Sequence, residues 1–177
     1  VLWNVDSLRD PDRDLSPMLD GPATLVAMAE ATTSIRVGTL VTSMYFRHPV
    51  LVARSTIAVD RLSGGRVEVA LGVGDPSVGP EAVGVDPGEA GTRVKRFAEY
   101  VDVVDLVLRQ DVTTFEGESF RCERVESFPG PVQRPRPPIT VAAHGPRMLR
   151  LAARVADAWS QWGGYDVDSV ERFERVT

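Results

Sequence analysis

The chain has 177 residues, of which 43% are hydrophobic and 25% charged, and its net charge is −5. That is the make-up of one soluble globular domain able to bury a real core, and it disfavours nucleic-acid binding because no Lys/Arg-rich run offers a phosphate footprint. The single Cys122 excludes an internal disulfide and a multi-cysteine metal site. No signal peptide is evident, and no apolar stretch approaches the ~18 residues of a membrane span, so a cytoplasmic protein is expected.

Leu2 to Asp6 reads as a short strand, and the Asp-, Pro- and Arg-rich stretch from Ser7 to Gly21 as a long loop. Pro22 opens a helix with Leu25, Met28, Ala29 and Thr32 on one face. An apolar strand starts at Ile35 and runs into Gly38-Thr39-Leu40-Val41-Thr42, where small and β-branched residues leave open backbone. His48-Pro49 opens the next helix, with His48 as its cap and Leu51, Ser55, Ala58 and Leu62 on one side; Ser63-Gly64-Gly65 closes it. Val67 to Val73 is near-continuously apolar, as a strand covered on both faces should be.

Asp75 to Gly91 holds most of the local Gly and Pro and is too long for a routine connection, which marks a functional loop or a partly mobile one. Arg93 to Gln110 is the clearest helix, with Val94, Phe97, Val101, Val104 and Leu108 at spacings of three and four. Thr113 to Phe120 reads as a hairpin turning near Gly117. Phe128 to Pro138 carries five prolines and is extended coil. Ile139 to Ala143 is a strand. Pro146 opens a helix burying Leu149, Ala152, Ala153 and Ala156. Ala158 to Trp162 is a further strand, and Asp168 caps a last amphipathic piece.

Strands and helices alternate, which means a parallel sheet with helices outside it. Five parallel strands are counted in a single domain spanning residues 1–177. A closed eight-stranded barrel needs about 200 residues or more, so the residues alone leave two readings: an open sheet, or a barrel lacking strands at both ends.

Three strand ends draw attention, because parallel sheets carry ligands at the carboxyl ends of their strands. The loop Ala143-His144-Gly145-Pro146-Arg147 stands between a strand and a helix amino terminus, where free N–H groups and the helix dipole favour an anion and Arg147 adds a forked donor. The competing reading is a tight turn with an exposed arginine. Gly72-Val73-Gly74 is a lone GxG without the third glycine or downstream acid of a dinucleotide site. Asp6 and Asp75 fall at strand ends, where acids serve chemistry or simply turns. His144 is better placed for function than His48. No GxxxxGK, no GxSxG and no metal-ligand spacing occurs. Trp3, Trp159 and Trp162 read as core or barrel-mouth residues.

The segments IRVGTLVTSMYFRHPVLVA and DRLSGGRVEVALGVG, followed by EAVGV, GTRVKRFAEYVDVV, FEGESF and PGPVQRPRPPITVAAHGPRMLRLAARVADAW, together resemble the luciferase-like flavin monooxygenases and their deazaflavin-dependent relatives. The resemblance covers about Val1 to Trp162. It implies a (β/α)8 barrel of TIM type, here incomplete, with about five to six parallel strands, outer helices and a small hairpin insertion. It implies an oxidoreductase or monooxygenase acting by hydride transfer on a small organic substrate. The cofactor implied is the deazaflavin coenzyme F420, with FMN as runner-up; the Asp6 segment and the presence of only one lysine (Lys95) among 20 basic residues favour the former.

By the same resemblance, the Leu40–Val41 peptide is a non-proline cis bond against the ring, Thr39 and Thr42 flank it, Gly74 and Asp75 lie beside the cofactor, and Ala143, His144, Gly145, Pro146 and Arg147 take its phosphate. Ser7 stands where many deazaflavin members have a histidine after the aspartate. That leaves the catalytic group unassigned, with Asp6, Ser7 and His144 the nearest candidates. A homodimer is expected. The alternative function is a non-catalytic or structural partial barrel that pairs with a partner chain.

Overall fold

A computed structural model describes residues 1–9, 18–161 and 174–175. Five strands form one sheet in the order β1 (Leu2–Asn4), β2 (Val37–Ser43), β3 (Val67–Gly72), β6 (Ile139–Ala142) and β7 (Ala158–Ser160), every neighbouring pair parallel. The connections carry α1 (Gly21–Glu30), α2 (Pro49–Leu62), α3 (Ala90–Arg109) and α4 (Pro146–Val155). A two-stranded antiparallel hairpin, β4 (Val112–Glu116) with β5 (Arg121–Glu126), stands apart between α3 and β6. The sheet does not close among the described residues, and the chain forms an incomplete barrel of the (β/α)8 type.

Proline occupies the first turn of α1, α2 and α4, where its missing N–H removes no helical bond. His48 caps α2 as expected, its Nδ1 accepting from Val50 N at 3.3 Å. The principal core lies between the sheet and α2, α3 and α4: Val69, Leu71, Ile139 and Val141 meet Phe97, Tyr100, Val101, Val104 and Leu108. Each such side chain contributes roughly 1.5–3 kcal/mol by leaving water. A second cluster, Leu25, Ala29, Val37, Val59 and Val67, seats α1.

The expected stripe on α2 is corrected by the structure. Leu51 and Leu62 are 60% and 56% exposed, and the buried side is Val52, Ala53, Thr56, Ile57, Val59 and Asp60. The helix turns Asp60 inward because its carboxylate has work there. It accepts from Val132 N (2.6 Å), Gln133 N (3.0 Å) and Gln133 Nε2 (2.7 Å), pinning the proline-rich segment to the sheet's amino end. On α4, Leu149 and Ala152 are buried as expected, while Ala153 and Ala156 are only half-buried and Leu151 is buried instead.

The FEGESF motif proves structural. The Glu99 carboxylate on α3 accepts the backbone N–H groups of Glu118, Ser119 and Phe120 at 3.0, 2.8 and 3.1 Å, closing the hairpin turn. A side chain at Gly117 would run into the Glu99 carboxylate and stand 2.8 Å from the Phe115 ring, so a larger residue there would displace the carboxylate that closes the turn. The long loop after β3 contains a short 3-10 turn at Pro80–Val83. Most of the loop after Ser7, Trp162 and the piece capped by Asp168 lie outside the described residues.

Candidate functional site

The carboxyl ends of β2, β3 and β6 lie side by side. The register of β2 against β3 shifts between Thr39 and Thr42, so Leu40 and Val41 have no paired partner there, and the Leu40–Val41 peptide is cis. Both residues are half-buried. A Cβ built on Gly72 would lie 2.6 Å from Val41 Cγ2 and 3.6 Å from Ala142 Cβ. Val41, Gly72 and Ala142 therefore form a row across three strands. Leu71 and Val141 point into the helix-side core, so by strand alternation the row lies on the opposite face. Ala142 pairs in register with Ser160, which extends the row to β7. Small residues in the middle of this row leave a shallow floor, with Trp3 covering Gly38 deeper in the sheet.

Immediately beyond the row is the loop 143–147. Gly145 is the N-cap of α4 without a side-chain cap bond, and open space surrounds the place where its Cβ would be. Leu149 N is the first amide of this turn to bond back, to Gly145 O at 2.9 Å. His144, Gly145, Pro146 and Arg147 are all exposed. Ala143 belongs to the scaffold instead. Its N–H donates to Ser160 O (3.0 Å) and its carbonyl accepts from Trp159 Nε1 (2.8 Å). An anion bound at this turn would meet the amides of Arg147 and Met148, since that of Ala143 is taken up by Ser160.

Several other expected site residues are taken up locally. Thr39 Oγ1 donates to Asn4 Oδ1 at 2.7 Å, and Asn4 Nδ2 donates to Gly21 O at 2.7 Å, a chain that ties β2 to β1 and α1. Thr42 is buried opposite Leu71. Gly74, at φ +82°, has its Cβ direction filled by Ser43 Oγ and the Tyr45 ring, so its glycine serves close packing of the loop on β2. Asp75 accepts from Ser77 N and Oγ at 2.8 and 2.6 Å, bonds that hold its carboxyl below the usual range.

The catalytic candidates separate. Asp6 is buried beyond β1, where it accepts from Gly21 N (3.3 Å) and Arg47 Nε (3.4 Å). Ser7 Oγ donates to Arg9 O at 2.7 Å. His144 follows β6, three strand spacings from β1, on the order of 14 Å away. Arg47 is the residue that sequence reasoning missed. It bridges Asp6 and Asp20, the N-cap of α1. Burial alone would push its guanidinium down, but the two carboxylates outweigh that and hold it protonated. The only signal was an arginine in a strand-end loop of a chain with one acid at a strand end, Asp6, and one ahead of a proline-opened helix, Asp20. Tyr45 and Tyr100 were also missed. Their hydroxyls are buried without a hydrogen-bond partner among the described residues, and burial raises both phenols above the usual range.

Comparison with known proteins accords with this architecture. The family model for luciferase-like monooxygenases matches residues 2–176, and the chain belongs to that family. It is 32% identical over 137 residues to an F420-dependent hydroxymycolic acid dehydrogenase of Mycobacterium tuberculosis, covering 77% of this chain and 37% of that protein. It is 31% identical over 159 residues to an uncharacterised protein of Mycobacterium tuberculosis, covering 90% of this chain and 53% of the relative. Among solved structures, an F420-dependent secondary alcohol dehydrogenase in complex with an F420-acetone adduct superposes with a TM-score of 0.89 at 21% identity, over 98% of this chain and 54% of that one. A monooxygenase from Streptomyces bottropensis superposes with a TM-score of 0.82 at 25% identity, over 98% and 52%. The chain thus spans about half the length, or less, of these relatives.

Proposed function

We propose, from membership of the luciferase-like monooxygenase family, that this chain binds a phosphorylated flavin-type cofactor at the carboxyl ends of β2, β3 and β6 and serves an oxidoreductase acting on a small organic substrate. The observation that carries this reading is the row Val41, Gly72 and Ala142, which ends directly at the uncapped amino terminus of α4. A flat ring needs a smooth, largely apolar floor, and a phosphate needs free amides at its far end. The two occur here on adjoining segments.

In this reading Leu40 and Val41 support one face of the ring, Gly72 and Ala142 give it room, and the Arg147 and Met148 amides with Gly145 hold the phosphate. The bound ring supplies hydride chemistry, and the protein supplies position and exclusion of water. Arg47 keeps Asp6 in place at the neighbouring strand end. The deazaflavin coenzyme F420 is preferred to FMN, because similarity to an F420-dependent dehydrogenase extends over 77% of the chain. A riboflavin lyase solved with modified FMN shares the fold at 18% identity and keeps FMN as the runner-up.

Equilibrium titration of the purified chain with coenzyme F420 and with FMN tests the reading. Saturable binding with tighter affinity for the deazaflavin is expected. Tighter FMN binding overturns the cofactor choice, and binding of neither overturns the function.

A further inference from the structure

Three strand-end loops meet above β2. The sheet order places β2 between β1 and β3. Arg9, in the loop after β1, reaches the loop after β3, where its Nη2 donates to Ser77 O at 2.7 Å and stands 2.9 Å from Glu81 Oε1. A link between these two loops has to cross the carboxyl end of β2. Phe46, from the β2 loop, lies beneath the crossing. A Cβ on Gly79 would be 3.0 Å from the Phe46 Cζ and 3.6 Å from Leu8 Cβ. Gly79 and Pro80 are buried there.

The β3 loop is built as a unit of its own. Val78 N donates to Asp75 O, Ala82 N to Gly79 O, Gly84 N to Glu81 O and Val85 N to Pro80 O, at 2.9–3.2 Å, so these backbone bonds close on the loop rather than on the sheet. Asp75 and Asp86 turn the chain at its two ends, accepting from Ser77 N and Gly88 N at 2.8 Å. Gly84 and Gly88 stand at φ +68°, with no atom nearer than 4.0 Å to where a Cβ would be, so this end has room to swing. The body of the loop is seated on Phe46 and fastened by Arg9, whose side chain is more than half exposed, as is that of Glu81. A segment bonded to itself, seated on one apolar contact and tied by an exposed cation belongs to the low-stability end of a fold.

We propose that residues 75–88 form a flap over the carboxyl end of β2, with Arg9 as its latch, and that this flap gates entry to the cofactor site. The inference rests on the proposed function, which seats the ring at Val41, and adds a moving part to it. Closed, the flap walls the site on its helix side, where Phe46 and Val85 pack against the principal core. Open, it uncovers the end of β2. Releasing the latch changes how often the flap opens, so it alters the rates at which cofactor enters and leaves more than it alters the affinity.

Amide exchange of residues 76–85 without ligand, and stopped-flow association and dissociation of coenzyme F420, are measured for the wild type, Arg9→Ala and Glu81→Gln. Thermal melts verify that the variants are folded. Both substitutions should speed exchange at residues 76–85 by about three- to tenfold, the size of an exposed ion pair joined to one charged hydrogen bond. Cofactor association and dissociation should rise together by a similar factor, and affinity should stay within about twofold. Faster exchange in Arg9→Ala alone assigns the latch to the Ser77 bond and supports the flap. Unaltered exchange in both variants overturns the latch. Faster exchange with unaltered or slower cofactor rates overturns the gate and leaves the proposed function standing. A wild type that takes up no cofactor overturns the proposed function, and the gate with it.

Discussion

A side chain on Gly72 would stand 2.6 Å from Cγ2 of Val41, the residue that follows the cis peptide of β2. The two strands can lie together at this point only because one of them carries no Cβ. Gly72→Ala forces Val41 out of the row, at a cost of about 1–3 kcal/mol, the size of overpacking in a tight interior. A thermal melt should register that loss, and cofactor affinity should fall about tenfold or more. Unchanged affinity in a folded Gly72→Ala protein would show that the row is not the ring's floor.

Arg66 tests the opposite end of the sheet. Its guanidinium donates to Ser63 O, Thr32 Oγ1, Ile35 O, Ala29 O and Thr32 O at 2.7–2.9 Å, gathering the carbonyls at the end of α1 and the approach to β2. Arg66→Ala leaves those carbonyls without their charged donor and should lower stability by about 2–3 kcal/mol in denaturant titration. Cofactor affinity should not change, because these bonds lie at the amino ends of the strands.

Much of this was legible in the sequence, and the exceptions have physical causes. The alternation of apolar runs and proline-opened helices specifies the parallel sheet, and the hairpin at Gly117 was visible from its turn residues. The exposed face of α2 was misassigned because Leu51 and Leu62 are as apolar as the Val52, Ile57 and Val59 that actually pack. The inward face is decided by Asp60, whose partners lie more than 70 positions away. Local periodicity cannot see such a bond. Thr39, Ala143 and Asp75 stood at the right strand ends, but their hydrogen bonds go to Asn4, to Ser160 and Trp159, and to Ser77. Arg47 joins two acids that the sequence places 41 and 27 residues away, so no motif announces it.

Arg136 sits 7% exposed between Asp105 and Asp157. Burial would raise the Asp157 carboxyl, but Arg136 and the Ile139 N–H outweigh it and hold the group below the usual range. A depressed carboxyl stabilises the fold above its unfolded value and loses that contribution as the pH falls below about 4. Arg136→Ala should cost about 3 kcal/mol at neutral pH and shrink the part of the acid loss due to Asp157. Stability curves measured from neutral pH down to about pH 3 for both proteins check this; a variant with an unaltered curve contradicts it.

His48 governs a higher pH window. Burial holds its imidazole below the ordinary value, and the neutral ring's Nδ1 accepts from Val50 N. The folded chain therefore binds fewer protons than the unfolded chain near pH 6. The stability from this cap is complete above about pH 7 and declines as the pH drops through about 6.5. Asparagine caps without titrating, so His48→Asn should flatten the melting-temperature profile between about pH 7.5 and pH 5.5. Identical slopes in the two proteins would remove His48 from the account.

Amide hydrogen exchange of the chain with and without coenzyme F420 bears most directly on where the cofactor lies. Bound coenzyme should slow exchange at residues 40–43 and 145–149, with no change at residues 29–36. Slowed exchange confined to other segments, or no change on adding the coenzyme, would contradict a site built from the ends of β2, β3 and β6.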